Sequence, residues 1–482
     1  MESSNNLSRV SKIAKIVTAF FPFSDFFYIL QQEEYSSARF LKWLPRFFFR
    51  RNFQVRDTLK YTKRVKSSFA FVIVIWLESF FLAAQYFSLR PVPALILAVI
   101  WLITIPLFVF AGNWVLSPYY NHRKKVVMRR AAAAVRAQKD LKIVAVAGSF
   151  GKTTTKNFIY QFTRFNFATQ MVSGNINTPL GIAMWVNAYL KPGTQLLIVE
   201  MDAYQRGEIA ASASIAPADV AIITNIGDQH LERFGSKAAL ALALREIFAG
   251  AKPGAKLLCT EETAAALGAG GSAGKAWEGS REMVTITDDA LAIIPAAMKK
   301  NFSTSNQINL AFAVKAAQLL RVPKSFILDA CAKIELPGRR QKEGEWHGYI
   351  AIDDTYNISL TTARAGLEAA AALAKRLGKK LVVVTAGIPE LGPDEKDGNK
   401  LLGEAIAARA DYAAILGSIF ARAIAKGVCS AATGTAITAG NGVNKRYSIF
   451  KNLTAFLAKA PAQFPPEEWV VLAQPELTDL YY

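Results

Sequence analysis

The chain has 482 residues, long enough for two or three domains, and 52% of them are hydrophobic. Its formal net charge is +20, and the basic residues cluster beside its most apolar stretches, which favours a membrane-attached protein over a nucleic-acid-binding protein. The three cysteines are widely separated and form no CxxC pair. The sequence therefore indicates neither a zinc ribbon nor a disulfide framework.

Residues 1–66 are predicted to form a basic, amphipathic juxtamembrane region. The apolar stretch 10–30 is interrupted by Pro22 and Asp25, which is typical of a helix lying on anionic lipid. Residues 39–66 add ten lysines and arginines against a single aspartate. Because no aromatic stacking platform accompanies these charges, we interpret them as contacts with the membrane surface and expect no nucleic-acid partner.

Residues 67–118 are predicted to form a two-helix transmembrane hairpin. The apolar stretches 69–87 and 92–116 each approach or exceed the roughly 20 residues that span a bilayer. Basic residues crowd both outer ends and only Arg90 lies in the turn, so the positive-inside bias places both termini and the catalytic domains in the cytoplasm, as in a multi-pass protein of the cytoplasmic membrane. Glu78 lies near the middle of the first span, where a charge is costly. The alternative is a pair of buried helices in a soluble core.

A phosphate-binding loop is the most specific motif of the chain. Residues 143–156 read IVAVAGSFGKTTTK, an apolar strand followed by a glycine turn and the start of a helix. Gly148 and Gly151 let backbone N–H groups close around phosphate oxygens, Lys152 reaches the β- and γ-phosphates, and Thr153 offers a hydroxyl to Mg²⁺. The sequence therefore predicts that the chain binds ATP and Mg²⁺. The predicted loop contacts are Gly148, Ser149, Gly151, Lys152, Thr153 and Thr154.

From residue 141 onward, apolar runs alternate with alanine-rich helical stretches, which predicts an α/β fold with parallel sheets covered by helices. The predicted strands read KIVAVAG, QLLIVEM, VAIITNIG, KLLCT, YIAIDD, KLVVVTAG, YAAILG and WVVLA. A Leu-Pro-Gly break at residues 336–338 divides this part of the chain. We therefore expect a central domain over residues 119–336 and a C-terminal domain over residues 337–482.

Two polar residues follow predicted strands of the central domain. Glu200 ends the QLLIVE run, and His230 follows VAIITNIG. Because the carboxyl ends of parallel strands meet at one edge of the sheet, where ligands bind, both side chains are expected to face the phosphate loop. A carboxylate and an imidazole are suitable Mg²⁺ partners there. For the histidine alone, a purely structural role is the alternative.

Seven motifs taken in order resemble the Mur ligase family, and most closely its D-alanyl-D-alanine-adding branch. They read AGSFGKTTTK, GNINTPLG, VEMDAYQRGEI, ITNIGDQHLERFGS, NQINLAFAV, LPGRR and DDTYN. The resemblance is strong over residues 144–357 and weaker toward the C-terminus. It implies a Mur-ligase-like P-loop central domain and a Rossmann-like C-terminal domain that close over ATP.

The resemblance also implies a reaction and the residues that serve it. In the family a substrate carboxylate attacks the γ-phosphate of ATP, and an incoming amine then displaces phosphate from the acyl phosphate to form an amide. The implied catalytic residues are Lys152 and His230, and the implied Mg²⁺ ligands are Thr153, Glu200 and His230. The implied contacts are Asn309 with adenine, Arg339 and Asp353 with the nucleotide, and Asn175, Asn177 and Thr178 with the acyl substrate.

The chain departs from the family in three places. The family begins with a soluble domain that binds a uridine nucleotide, whereas residues 1–140 hold the predicted membrane region, so a lipid-linked precursor becomes a candidate acyl substrate. Leu244 occupies the position of the family's carbamoylated lysine and cannot hold a metal, and Glu246 points elsewhere on the helix, so the second Mg²⁺ site is missing or rebuilt. In the C-terminal domain Asn399 replaces a common histidine and the usual Lys-Gly-Ser stretch is absent. The sequence therefore leaves three candidates for the amine substrate: an amino acid, a dipeptide and ammonia.

Our leading hypothesis is a membrane-anchored, ATP-dependent ligase that forms an amide bond on a peptidoglycan or related cell-wall precursor. One alternative is the Mur-like subunit that amidates a lipid-linked precursor with a glutaminase partner, although that relative carries a zinc ribbon and this chain has only three cysteines. A second alternative is an ATP-binding pseudoenzyme or scaffold at the membrane, which Leu244 keeps open.

Overall fold

The computed structural model divides into two compact units, Met1–Val126 with Tyr482, and Val127–Tyr481. The residues that the structure describes are 23–49, 59–86, 104–174, 176–227, 231–268, 282–286, 292–295, 302–336, 342–355, 358–431 and 446–475.

The first unit is a group of helices around an aromatic core. Its helices are α1 (Phe23–Gln32), α2 (Ser37–Phe49), α3 (Lys63–Tyr86) and the first part of α4 (Ile105–Ala137). The side chains of Phe26, Phe27 and Phe40 are buried in its core. The described part of the predicted lipid-surface segment 10–30 therefore packs within this unit.

One helix among the described residues, Lys63–Ala83, is long and apolar enough to cross a membrane, by length and composition only. Residues 92–103 of the second predicted span lie outside the described residues, and α4 runs without a break across the predicted boundary at residue 118, which is a proline. Within α4, Asn113 is buried and donates from Nδ2 to the Tyr35 carbonyl at 2.8 Å, while its Oδ1 accepts from Arg64 Nη2 at 3.1 Å. The structure thus describes a helix over the first expected span and part of the second stretch, and the transmembrane hairpin stays a prediction.

The second unit begins with a six-stranded parallel sheet in the order β2-β3-β1-β4-β5-β6. The strands are β1 (Lys142–Ala147), β2 (Thr169–Met171), β3 (Leu196–Glu200), β4 (Val220–Ile223), β5 (Lys256–Thr260) and β6 (Glu282–Ile286). The helices are α5 (Lys152–Thr163), α6 (Pro179–Tyr189), α7 (Glu208–Ile215), α8 (Leu231–Phe234), α9 (Lys237–Ala249), α10 (Glu261–Gly268), α11 (Thr304–Leu319) and α12 (Lys324–Ala332).

Helices cover both faces of this sheet because its central strands are apolar on both sides. On one face Ile143 and Ala145 of β1 pack with helices α7 and α9. On the other face Val144 and Val146 pack with α5 and α11. The predicted α/β fold is confirmed here.

A second six-stranded sheet follows in the order β11-β10-β9-β12-β8-β7, and all of its pairs are parallel except β7 with β8. Its strands are β7 (Lys342–Trp346), β8 (Tyr349–Asp353), β9 (Lys380–Thr385), β10 (Tyr412–Leu416), β11 (Tyr447–Phe450) and β12 (Trp469–Gln474). Its helices are α13 (Leu360–Leu377), α14 (Glu395–Arg409), α15 (Ala421–Ala431), α16 (Leu453–Leu457) and α17 (Ala460–Gln463), with a 3₁₀ turn at Gly392–Asp394. In both sheets the carboxyl ends of neighbouring parallel strands meet at one edge, which is where the candidate site residues lie.

Candidate functional site

The glycines of the predicted phosphate loop adopt backbone conformations that other residues rarely reach. β1 ends at Ala147, and Gly148 follows with φ of 134°, while Gly151 has φ of 81° immediately before α5. A Cβ on Gly148 would lie 2.2 Å from Thr224 Oγ1, and a Cβ on Gly151 would lie 2.3 Å from Asn309 Oδ1. Only glycine fits both places.

The loop is held from the next strand of the sheet. Thr224, directly after β4, donates its hydroxyl to the Phe150 carbonyl at 2.6 Å. The Asn225 side chain accepts from the Phe150 N–H at 3.1 Å, and the Gly227 N–H donates to Ser149 Oγ at 2.8 Å. These bonds fix the loop shape before any ligand binds, so the loop N–H groups are preorganised for an anion.

Lys152, the first residue of α5, lies folded over the loop. Its Nζ donates to the carbonyls of Gly148 at 2.6 Å and Ser149 at 3.1 Å and forms an ion pair with Asp202 Oδ2 at 3.1 Å. Asp202 lies within the VEMDAYQRGEI motif but was not among the predicted site residues. The structure brings it to the lysine because β3 lies next to β1.

Glu200, the last residue of β3, is the centre of the site. Its Oε2 accepts from the Thr153 hydroxyl at 2.7 Å and forms an ion pair with Lys156 Nζ at 3.1 Å. Its Oε1 accepts from Asn177 Nδ2 at 3.2 Å. The structure therefore brings together three predicted residues, Thr153, Glu200 and Asn177, and adds Lys156, which sequence reasoning missed.

Two further predicted residues, Asn309 and Thr154, are buried next to the loop. Asn309 of α11 is buried and accepts from the Thr155 hydroxyl at 3.3 Å. Thr154 is buried at the first turn of α5. The predicted contact of Asn309 with adenine stays a prediction, because the observed bonds place its amide against the loop.

The donor set suits both a phosphate and a hard cation. Two positive-φ glycines, the N-terminus of α5 and the Lys152 ammonium lie together after β1, a combination of groups that suits a phosphate. The Thr153 hydroxyl and the Glu200 carboxylate are oxygen ligands of the kind that Mg²⁺ prefers. Among the described residues no group of three or more histidine, cysteine, aspartate or glutamate side chains forms a ready metal cluster.

Three predicted site residues, Asn175, His230 and Arg339, lie outside the described residues. Thr178 is described, and its hydroxyl accepts from the Gly181 N–H at 3.3 Å as the N-cap of α6. Its predicted contact with the acyl substrate stays a prediction.

Asp353 ends β8 at the carboxyl edge of the second sheet, and its implied contact with the nucleotide stays a prediction. Its Oδ1 accepts from the Thr355 N–H at 3.1 Å and from the Thr355 hydroxyl at 2.8 Å. The neighbouring Asp354 is buried, and its Oδ2 accepts from Gln474 Nε2 at 3.0 Å. Gln474 ends β12, beside β8, so this edge brings two acidic residues and an amide together.

Leu244 is a core residue of the central domain. It is 2% exposed and belongs to the apolar cluster between the first sheet and α9. Glu246 points to α7, where its carboxylate accepts from the Gly207 N–H at 2.8 Å and the Ala210 N–H at 3.1 Å. That carboxylate caps α7 and compensates the helix dipole.

Asn399 of α14 acts as a buried clamp for the preceding loop. Its Oδ1 accepts from the Ile388 N–H at 2.8 Å, and its Nδ2 donates to the carbonyls of Ile388 at 3.0 Å and Glu395 at 2.9 Å. The loop that Asn399 holds contacts the central domain, since the Glu232 N–H of α8 donates to the Glu390 carbonyl at 3.1 Å.

Residues 146–312 match the Mur ligase middle domain. The chain is 29% identical over 275 residues to the UDP-N-acetylmuramoyl-tripeptide–D-alanyl-D-alanine ligase of Synechocystis sp., covering 55% of this chain and 60% of that protein. The Bacillus subtilis protein of the same name is 25% identical over 308 residues, covering 60% of this chain and 67% of that protein. The chain thus spans about two thirds or less of the length of these curated relatives.

Two solved structures share the fold. MurF from Acinetobacter baumannii aligns with a TM-score of 0.59 and 21% identity, over 73% of this chain and 77% of that one. MurF ligase from Thermotoga maritima, in complex with ADP, aligns with a TM-score of 0.58 and 21% identity, over 73% of this chain and 80% of that one. At this level of identity the likeness establishes the fold.

Proposed function

We propose that this chain is an ATP-dependent ligase of the Mur ligase family, whose middle domain residues 146–312 match, and that it forms an amide bond through an acyl phosphate on a peptidoglycan precursor. The observation that carries the proposal is the Lys152, Thr153 and Glu200 arrangement at one strand edge. It combines a preorganised phosphate loop with a carboxylate and hydroxyl pair. Phosphoryl transfer depends mainly on positioning and charge neutralisation, which these groups supply.

Each group has a definite task in that reaction. The loop N–H groups bind and orient the phosphates, and the Lys152 ammonium leaves Asp202 to neutralise charge that develops on the transferring phosphoryl group. Thr153 and Glu200 would hold Mg²⁺, which when bound neutralises phosphate charge. Asn177, which donates a hydrogen bond to the Glu200 carboxylate, would orient the acyl carboxylate for in-line attack.

The direct test uses the purified full chain with Mg²⁺ and ATP. Nucleotide-linked and lipid-linked muramoyl peptides would each be supplied with an amino acid, a dipeptide or ammonia, while phosphate release and amide formation are measured. The expected result is stoichiometric phosphate and amide with at least one pair of substrates. Absence of both products with every pair would refute the ligase proposal.

Leu244 supports a second candidate, an ATP-binding scaffold without catalysis. The residue is buried in the apolar core, so its position supplies no metal ligand. The same assay separates the two candidates, because a scaffold binds nucleotide but releases no phosphate above the rate of a denatured control.

We further propose that the first unit anchors the enzyme in the cytoplasmic membrane with both termini inside. On α3, apolar side chains are exposed, including Leu77, Phe81 and Leu82 at 52%, 62% and 64%. On α4, Trp114 is 68% exposed. An exposed apolar belt of this kind is typical of a surface that contacts lipid or a partner.

A membrane location would bring lipid-linked precursors within reach of the catalytic domains. Two measurements test it: sedimentation of the full chain with membranes after a carbonate wash, and a compartment-specific reporter fused after Tyr482. Retention in the membrane with a cytoplasmic reporter is expected. A fully soluble chain, or an extracellular reporter, would overturn the anchoring or the topology respectively.

A further inference from the structure

Two lysines on one turn of α5 form two buried ion pairs with the end of β3. Lys152 and Lys156 are four residues apart and therefore lie on the same helix face. Lys152 pairs with Asp202 and Lys156 pairs with Glu200, each at 3.1 Å. The second pair is the more buried, with side-chain exposures of 1% for Lys156 and 3% for Glu200.

The Lys156 ammonium, which has three N–H groups, contacts three acceptors that belong to described residues. Besides Glu200 Oε2, its Nζ donates to the carbonyl of Val172 at 3.1 Å and to that of Gly174 at 2.9 Å. Residues 172–174 lead from β2 into the stretch that carries Asn177. Lys156 thus connects the helix of the phosphate loop, the Glu200 carboxylate and the entry to the predicted acyl-substrate loop.

The ion pairs also set the charge that an incoming cation meets. Two hydrogen bonds that do not involve Lys156 also hold the Glu200 carboxylate in place, from the Thr153 hydroxyl to Oε2 and from Asn177 Nδ2 to Oε1. A divalent cation that approaches without nucleotide meets a carboxylate already neutralised by an ammonium, and it is repelled by that ammonium. When a nucleotide binds, its phosphates add negative charge, and the net electrostatic force on the cation changes from repulsion to attraction.

We infer that Lys156 is a positioning residue that fixes the Glu200 carboxylate and prevents a divalent cation from binding there until a nucleotide is present. The site therefore takes up the metal–nucleotide complex and excludes the free metal. This inference rests on the proposed function for the identity of the nucleotide, but the behaviour of the nucleotide-free chain tests it separately.

The main experiment measures Mn²⁺ binding to the nucleotide-free full chain by electron paramagnetic resonance of the free ion. Lys156→Met removes the ammonium and keeps an unbranched apolar stem of similar length. It should raise Mn²⁺ affinity by at least roughly tenfold, because a positive charge next to the carboxylate is lost. Lys156→Arg keeps the charge and should bind Mn²⁺ as weakly as the wild type.

Lys324→Met is the matched control, since it removes one exposed lysine from the first turn of α12 in the same domain. It should leave Mn²⁺ affinity within about twofold of the wild-type value. Circular dichroism of each variant shows whether it is folded. A folded Lys156→Met chain with wild-type Mn²⁺ affinity would overturn the inference.

The wild-type chain supplies a second test that does not depend on the stability of a variant. Mn²⁺ should bind the chain with a fluorescent ADP analogue at least roughly tenfold more tightly than it binds the chain alone, after correction for binding to the analogue in solution. Equally tight binding without nucleotide would also overturn the inference. If the analogue does not bind at all, the proposed function fails, and the nucleotide-free Lys156 comparison still decides the role of the lysine.

Discussion

The carboxyl edges of the two sheets carry acidic residues in similar places but surround them differently. At the first edge Glu200 and Asp202 form ion pairs with lysines of α5, beside a glycine loop. At the second edge Asp353 and Asp354 accept hydrogen bonds from a threonine and a glutamine amide. The first edge thus has ammonium groups beside its carboxylates, whereas the second has a hydroxyl and an amide beside its carboxylates.

As an extension of the proposed ligase function, we propose that the two edges serve different substrates. Phosphates need positive charge and N–H donors, which the first edge has. An incoming amine is a cation before it reacts, so we expect the Asp354 carboxylate to attract it, while the implied contact of Asp353 with the nucleotide stays a prediction. Variants at the first edge are therefore expected to change nucleotide handling, and variants of Asp354 at the second edge to change the use of the amine.

Lys152→Ala should have the largest effect, because it removes the ammonium that meets the phosphates. We expect ATP turnover to fall by at least roughly a hundredfold to a thousandfold, in the range seen when one donor to a developing negative charge is lost. Phosphate release by the full chain measures this. The exposed Lys324→Ala is the control and should keep wild-type turnover; a Lys152→Ala chain that also keeps it would contradict the loop assignment.

Gly148→Ala should disable the loop by changing its shape instead of its charge. Its φ of 134° and a Cβ that would lie 2.2 Å from Thr224 Oγ1 leave no strain-free conformation for alanine. We expect a loss of about 1 to 3 kcal/mol in the free energy of unfolding and nucleotide binding too weak to measure. Thermal unfolding and titration with a fluorescent ADP analogue test both expectations.

Gly254→Ala is the matched control for that variant. Gly254 also has positive φ, 76°, but nothing lies within 4 Å of the Cβ that alanine would add. It should cost about 1 kcal/mol of stability and leave nucleotide affinity unchanged. Equal losses of nucleotide binding in the two variants would mean that backbone strain in general, and not the loop, is responsible.

The sequence predicted the eight central strands of both sheets and missed the four edge strands, β2, β6, β7 and β11. Central parallel strands are buried on both faces and appear as continuous apolar runs. Edge strands such as Thr169–Met171 and Lys342–Trp346 are short or rich in polar residues, so composition does not distinguish them from loops. They form because the neighbouring strand offers backbone N–H and C=O groups that have no partner on that side until the edge strand pairs with them.

The site shows the same division between local and tertiary information. Thr153 and Glu200 were predicted from a loop motif and a strand end, both of which are local signals. The roles of Asp202 and Lys156 depend on ion pairs that join α5 to the end of β3. The paired residues lie about 50 positions apart in the sequence. The four-residue spacing of Lys152 and Lys156 was the one signal in the sequence that indicated a shared face.

Asp354→Asn tests the other side of the comparison and should have a smaller effect. It removes a carboxylate charge and keeps the shape of a side chain that accepts from Gln474. We expect the KM for the amine to rise by roughly tenfold, because one buried charge interaction is lost, while affinity for the ADP analogue stays the same. Glu467→Gln, an exposed change just before β12, is the control. A weaker ADP affinity with an unchanged KM for the amine would reverse the assignment of the two edges.

The cysteines provide the prediction with the smallest expected effect, because labelling them requires no substitution in the protein. Cys259 in β5 and Cys331 in α12 pack against the first sheet and are buried, whereas Cys429 in α15 is exposed. Burial raises the pKa of the Cys259 thiol to about 12 and that of Cys331 to about 11, because the thiolate is poorly solvated there. At pH 8 the thiolate fraction of Cys259 is therefore about one in ten thousand.

Iodoacetamide followed by mass spectrometry should then modify Cys429 at pH 8 and leave the other two thiols intact. Since the folded-state pKa values are raised, the neutral thiols favour folding below pH 9, and this contribution is lost as the pH rises toward 11 or 12. Modification of Cys259 and Cys331 in addition to Cys429 is expected only when alkali or denaturant unfolds the first sheet. Early modification of Cys259 in the native chain would mean that the first sheet opens more readily than its buried core indicates, and that the contrast between the two sheets extends to their stability.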